Sequence, residues 1–191
     1  NGHAAVDHAE ENASPRFAPA GVLADFVEVD PAYERVVEEF LRDELAYIVV
    51  DDWPAASEGV RLLQSEVPGR ATFLLHSRAN VREAAADAQS DIMTAAQLLA
   101  SHAGVLGSLA GCLRFTNGLS GSAGALLPKL ERSCLVADAE TGRSLAEKHP
   151  ERYFLTPHGE WFHGSTVTAG QAGPSGPLAL KRELRELTRA V

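Results

Sequence analysis

Cysteine is scarce in this chain. There are only two, Cys112 and Cys134, in 191 residues. They stand far apart, match no zinc-ligand spacing and suggest no disulfide framework. Long apolar runs are missing as well. None approaches the roughly 20 residues that cross a membrane as a helix, and no signal-peptide pattern is visible. Basic residues are in deficit, 17 against 26 acidic, for a formal charge of -9. Phosphate backbones repel such a chain unless its cations cluster, so nucleic-acid binding needs a local patch. An initiator methionine is absent, and the chain reads as an excised piece of a cytoplasmic protein.

What is present suffices for a core. Apolar residues make up 45% of the chain, enough for one domain or two small ones. Residues 1–20 show no clean period and read as a mobile lead-in. "GVLADFVEV" (21–29) alternates like a strand, with Val22, Ala24 and Phe26 opposite Leu23, Asp25 and Val27. "DPAYERVVEEFLRDEL" reads as a helix capped by Asp30, with Pro31 first and Tyr33, Val36, Val37, Phe40 and Leu41 on the buried face. "AYIVVDD" is a short apolar run bounded by acids, the pattern of a buried strand. A helix over "PAASEGVRLLQSEV" and a strand over "RATFLL" follow. Residues 76–95 are polar and Ala-rich without a period. Residues 96–111 read as helix and connection, and "GCLRFTNGLSGSAG" as turn-rich. After it come a helix and strand over "GALLPKLERSCLVAD", a helix over "AETGRSLAEKHPER" and a strand over "YFLT".

The second half repeats the first. "YIVVDDWPAASEGVRLLQSEVPGRATFLL" answers to "SCLVADAETGRSLAEKHPERYFLT". Val49 and Val50 match Leu135 and Val136, Asp52 matches Asp138, and Phe73 and Leu74 match Phe154 and Leu155. Arg70 matches Arg152 with a one-residue slip. Each copy alone buries too little apolar surface for comfort. Two copies back to back share a core and give a pseudo-two-fold molecule. The tail "LALKRELRELTRAV" differs. Leu180, Leu184, Leu187 and Val191 step by 4, 3 and 4, the narrow seam of a coiled coil. Pro174 and Pro177 separate it from the domain.

Candidate chemistry is sparse. Gly159 and Gly164 have the glycine spacing of a phosphate-binding loop, but Ser165 and Thr166 follow with no lysine. "NGLSGSAG" misses the G-x-S-x-G of a nucleophile elbow, because Ser122 stands at the last glycine. His158, Glu160 and His163 form no ligand set of known metal spacing. Asp51 and Asp52 follow a strand, where a magnesium ligand can sit. The acid kept at Asp138 suits a helix cap better. No catalytic residue, metal or cofactor is expected. Lys181, Arg182, Arg185 and Arg189 cluster on the last helix, diluted by Glu183 and Glu186. A solvated face is the plain reading and a weak DNA contact the functional one.

The duplicated order, the "GRATFLL" segment, a closing pattern of Thr156, Gly159, Glu160, Gly164 and Gly170, and the heptad tail occur together. That combination resembles the hinge domain of bacterial SMC (structural maintenance of chromosomes) proteins over about residues 21–170. The resemblance implies an α/β (α+β) fold of two pseudo-two-fold-related subdomains, at 21–95 and 96–170, with a coiled-coil root from 171–191. It implies homodimerisation into a toroid within a chromosome-condensation and segregation ATPase whose catalytic heads lie elsewhere. It also implies DNA as a weak partner, no membrane, and a cytoplasmic, nucleoid-associated setting. Matched by motif, Gly69, Arg70, Thr72 and Phe73 fall on one interface edge. Thr156, Gly159, Gly164, Thr168 and Gly170 fall on the other, with Trp161 supplying apolar area. The sequence departs from the family where Arg42-Asp43 stands in place of a Leu-Gly turn and Gln171 in place of a second glycine. The rival readings are a DNA-binding module proper, or a small magnesium- or nucleotide-dependent enzyme using the acids after the buried strands.

Overall fold

The computed structural model describes residues 17–65, 68–76, 97–98, 101–119, 126–170 and 176–189. The polar stretch at 76–95, beyond His76, lies outside them, as do Arg78 and Arg82. So do residues 1–16 of the lead-in, 120–125 of the turn-rich segment, and Val191.

The apolar run Ile48–Val50 forms β3, followed by helix α2 (Trp53–Ser65) and strand β4 (Phe73–Leu75). Its counterpart is Ser133–Val136 (β7), helix α4 (Ala139–Lys148) and Tyr153–Leu155 (β8). Both units pair their strands in parallel, and in the same register. Val49 lies opposite Leu74, and Leu135 opposite Leu155. The two units start their helices alike. Asp52 accepts the Ala55 N–H at 2.9 Å, and Asp138 the Thr141 N–H at 2.8 Å. Those acids are helix caps, each satisfying an orphan donor of the first turn. In this register Ala71, not Arg70, corresponds to Arg152.

The repeat reaches further upstream than the apolar runs suggest. β1 (Gly21–Val22) pairs antiparallel with β3, and β5 (Val105–Ser108) antiparallel with β7. Gly21 faces Val49 as Gly107 faces Leu135. "GVLADFVEV" and "GSLAGCLRF" (107–115) are therefore equivalent segments. Each runs through a 3-10 helix, Leu23–Phe26 or Leu109–Cys112, into a short strand. Those strands, β2 (Val27–Val29) and β6 (Leu113–Phe115), pair with each other. Val27 faces Phe115, Glu28 faces Arg114 and Val29 faces Leu113, so the pseudo-two-fold axis passes between Glu28 and Arg114. Symmetric backbone bonds flank it. Asp30 N–H donates to Cys112 O at 2.9 Å and Thr116 N–H to Phe26 O at 2.7 Å.

Several local expectations fail here. "GVLADFVEV" is not one alternating strand, since Leu23, Ala24, Phe26 and Val27 are all buried. The Asp25 carboxylate accepts the Val22 N–H at 3.1 Å, and this local bond competes with the ladder. Helix α1 spans Glu34–Phe40 and begins late, because Asp30 is spent on a turn, accepting the Ala32 N–H at 2.9 Å. Its buried face is as expected, with Val36, Val37, Phe40 and Leu41 each at most 3% exposed. Within 96–111, Val105–Ser108 is a strand and not helix. Leu113–Phe115 is a strand inside the segment read as turns. Its turn survives at Asn117 and Gly118, which hold φ of 56° and 85°. Phe17–Ala20 of the lead-in pack on the domain, with Ala20 N–H bonded to Val49 O at 2.9 Å.

The sheets explain why the central runs are apolar throughout. In the second half, Leu135, Leu155, Tyr153 and Trp161 face the large shared core. Cys134, Val136, Phe154 and Phe162 face α4 and a second, smaller core. A strand covered on both faces has no polar side. The shared core joins the halves, mixing Leu23, Val37 and Val49 with Leu109, Leu127, Leu130 and Leu155. The short helix α3 (Pro128–Glu131) clasps them from outside. Its Lys129 ammonium reaches Phe40 O at 2.8 Å and Glu44 at 2.9 Å, and lies 4.2 Å above the Phe40 ring.

Candidate interface: two strand edges

The duplicated halves end differently. The first sheet has the order β1-β3-β4, so β4 is an edge. The second continues past β8 into a hairpin of β9 (Trp161–His163) and β10 (Thr166–Thr168), in the order β10-β9-β8-β7-β5. The β8 ladder is thereby covered within the chain and β10 becomes the edge. Among the described residues nothing pairs with the outer side of β4 or of β10. Thr166, Val167 and Thr168 are all exposed, and Val167 is 62% exposed. A bare edge of this kind is a template for strand addition.

The motif residues fall into three groups. Gly69, Arg70 and Thr72 are exposed and lead into β4, with open space around the Gly69 Cα. Phe73 is half-buried, set edge-on to Phe17 with ring centroids 6.0 Å apart and lying close over Gly59. Thr168 and Gly170 are exposed at the end of β10.

Gly159 and Gly164 do another job from the one expected of them. They are not spaced along an edge. Gly159, at φ 94°, closes the turn between β8 and β9, and Gly164, at φ 52°, closes the hairpin. Both are positions where a side chain strains the backbone.

Thr156 and Trp161 are interior features, which corrects their assignment to the edge. Thr156 is fully buried. Its hydroxyl donates to Glu160 Oε2 at 3.0 Å, and its backbone N–H to Glu160 O at 2.9 Å, so it builds the turn. Trp161 lies on the inner strand β9, its ring 5.7 Å from that of Phe40 in the shared core. His163 stacks on Tyr153 at 4.1 Å, and its Nδ1–H donates to Arg152 O at 3.0 Å. With Glu160 bonded to Thr156 and His158 exposed, these residues build a turn and a strand. No group of acids, histidines and cysteines able to hold a metal occurs among the described residues.

The basic cluster is not a free patch either. Helix α5 (Pro177–Arg189) lies against the first half. Lys181 is bonded to three backbone carbonyls, Arg182 pairs with Glu34 at 2.7 Å, and Arg185 pairs with Glu28 at 3.1 Å. The side chain of Arg189 lies outside the described residues. Arg114 and Arg185 beside Glu28 hold its carboxyl below the usual range, the Arg114 hydrogen bond contributing most. The leucine seam on the same helix is bare, with Leu180, Leu184 and Leu187 between 57% and 67% exposed.

Sequence reading missed three contributors. Phe17 was assigned to the lead-in. Val167, the most exposed apolar residue of β10, is a lone valine between threonines. The Glu28–Arg114 pair becomes visible only when 21–29 is laid over 107–115. Equivalent positions there carry opposite charge.

Comparisons with known proteins show the family and the fold. A family model described as the SMC proteins flexible hinge domain matches residues 18–146. The chromosome partition protein Smc of Koribacter versatilis is 46% identical over 176 residues, 91% of this chain and 13% of that protein. The chain thus spans only a small part of that relative. The Smc of a Synechococcus species is 41% identical over 54 residues, 28% of this chain and 4% of that protein. Among solved structures, an asymmetric dimer of the Geobacillus stearothermophilus SMC hinge domain aligns with a TM-score of 0.68 at 24% identity, covering 93% of this chain and 69% of that one. A Pyrococcus furiosus Smc hinge domain with an extended coiled coil aligns at 0.58 and 20% identity, covering 93% and 59%.

Proposed function

This chain belongs to the SMC flexible hinge family, and we propose that it is the homodimerisation hinge of a chromosome-partitioning SMC protein. The observation that carries the reading is the pair of bare edges, β4 and β10, left by two halves of one design. Strand β10 of one protomer adds to β4 of its partner, and the two-fold repeats the ladder on the other side. Such an isologous arrangement closes, using up β4 and β10 of both protomers. Two ladders with their flanking side chains bury on the order of 1,500 Å², within the range of stable complexes. Gly69, Arg70, Thr72 and Phe73 line one edge in this reading, and Val167, Thr168 and Gly170 the other.

The exposed seam of Leu180, Leu184 and Leu187 suits the root of a coiled-coil arm. DNA contact is secondary and weak, since Lys181, Arg182 and Arg185 already have partners within the chain. The domain is read as non-catalytic, in a cytoplasmic protein associated with the nucleoid. No described helix is long and apolar enough to cross a membrane.

The test is mass in solution. Val167→Lys places a charge on an already exposed edge residue, so the fold should survive within about 0.5 kcal/mol. The dimer should weaken roughly 100-fold. Equilibrium sedimentation across a concentration series reads both proteins. Monomer alone for the unsubstituted chain at micromolar concentration, or unchanged affinity in the variant, would sink the reading.

A further inference from the structure

Helix α5 is seated on the domain by charge more than by its apolar stripe. Of its leucines only Leu178 is buried, while Leu180, Leu184 and Leu187 face solvent. A cleft of about 240 Å³ remains between the helix and β2, lined by Val27, Val29, Pro31 and Glu34, so the helix does not seal against the domain. What fixes it is a row of polar contacts. Glu38 accepts the Leu178 N–H at 2.9 Å in the first turn. The Lys181 ammonium then donates to Ala24 O at 2.9 Å, Asp25 O at 2.6 Å and Val27 O at 3.2 Å. Three ammonium protons meet three carbonyls at the end of the 3-10 helix Leu23–Phe26, where carbonyl dipoles favour a cation; Asp25 O also accepts the Asn117 amide N–H at 2.9 Å. Further along, Arg185 takes one oxygen of Glu28 and Arg114 of β6 takes the other. The exit helix is therefore tied to the strand pair on which the two halves meet.

We propose that Lys181 is a lock setting the direction in which α5 leaves the domain, with Glu28 linking that lock to the junction of the halves. The inference rests on reading α5 as the start of an arm. The arginine pairs cannot hold the angle alone, because they are exposed and screened by salt. Lys181 differs. It is partly desolvated, which pulls its pKa below the usual lysine value, and its partners are fixed backbone dipoles that it cannot exchange for water without leaving its seat. The seat is thus discrete: engaged or released. Once released, a helix of this length is marginal in water, so unlocking appears as fraying.

The test compares amide hydrogen exchange in the unsubstituted chain, Lys181→Met and Glu28→Gln, at about 0.05 M and about 1 M NaCl. Methionine keeps the apolar stem and removes the ammonium. Exchange across residues 180–188 should rise at least about tenfold in Lys181→Met, while β7 and β8 stay unchanged. It should rise further at high salt, where only the screened pairs remain. Glu28→Gln should give a smaller rise, about threefold, and it keeps the proposal testable if the lysine variant folds poorly. Exchange in α5 within about twofold of the unsubstituted chain, or an equal rise in β7 and β8, would overturn the lock. Sedimentation of the same samples separates the two ideas: an unsubstituted chain that is monomeric removes the dimer and leaves the exchange result standing.

Discussion

The two halves of this chain are the same unit finished in two ways. In both, a parallel strand pair is crossed by a helix that an aspartate caps. In the second half the β9–β10 hairpin closes over β8, and Phe154 is completely buried. In the first half no described strand covers β4, and its equivalent, Phe73, stays half-exposed beside Phe17. On the proposed dimer, the difference locates the two surfaces that meet. Covering β8 with the hairpin moves the bare edge of the second half out to β10, while β4 itself stays bare in the first.

The largest expected effect tests that contrast directly. Phe154→Ala should cost about 3–5 kcal/mol of protomer stability in urea unfolding, the usual loss for a large buried aromatic. Phe73→Ala should cost about half as much in the protomer, because its site is already partly wet, and should also weaken the proposed dimer. Equal losses at the two positions would erase the distinction between covered and bare edges.

A smaller effect isolates the hairpin. Gly164 holds φ 52°, and an added Cβ would meet nothing closer than Pro150 O at 3.6 Å. Gly164→Ala therefore feels backbone strain alone, about 1–2 kcal/mol, read as lost protomer stability. The first half has no described hairpin in which to make the matching change.

The smallest effect concerns the shared caps. The Asp138 carboxyl lies below the usual aspartate range, chiefly because it accepts the Thr141 N–H. A lowered folded-state pKa means that its stabilisation is complete above the unfolded value of about 4 and fades as the pH falls through the lower folded value. Asp138→Ala should flatten that part of the acid dependence, measured by urea unfolding between about pH 6 and pH 3. An unaltered slope would show that the cap contributes nothing through its charge.

Much of this was legible. Ile48–Val50 and Ser133–Val136 are apolar runs too short for helices, followed by capping acids, and their repetition revealed two equivalent units. The heptad spacing of Leu180, Leu184 and Leu187 was legible as a stripe. The upstream part of the repeat was not, because its 3-10 turns break the alternation that marks a strand and its strands are only a few residues long. Gly159 and Gly164 of the last motif lie in the expected region but serve turns and not the edge. A glycine announces backbone freedom, but a turn and a close approach look the same in one dimension. Trp161 and the basic cluster misled for a related reason: residue type tells what a side chain can do, not which neighbour uses it.

The sequence by itself determined the repeating unit, its helix caps and the heptad spacing of the last helix, because these follow from local periodicity and from bonds spanning three or four residues. Only the tertiary structure decided which ladder is covered, that Trp161 packs on Phe40, and that Lys181 turns inward to three carbonyls. Each of those outcomes joins parts of the chain far apart in sequence. The competition among partners is settled only when the sheets close and water is withdrawn from between them.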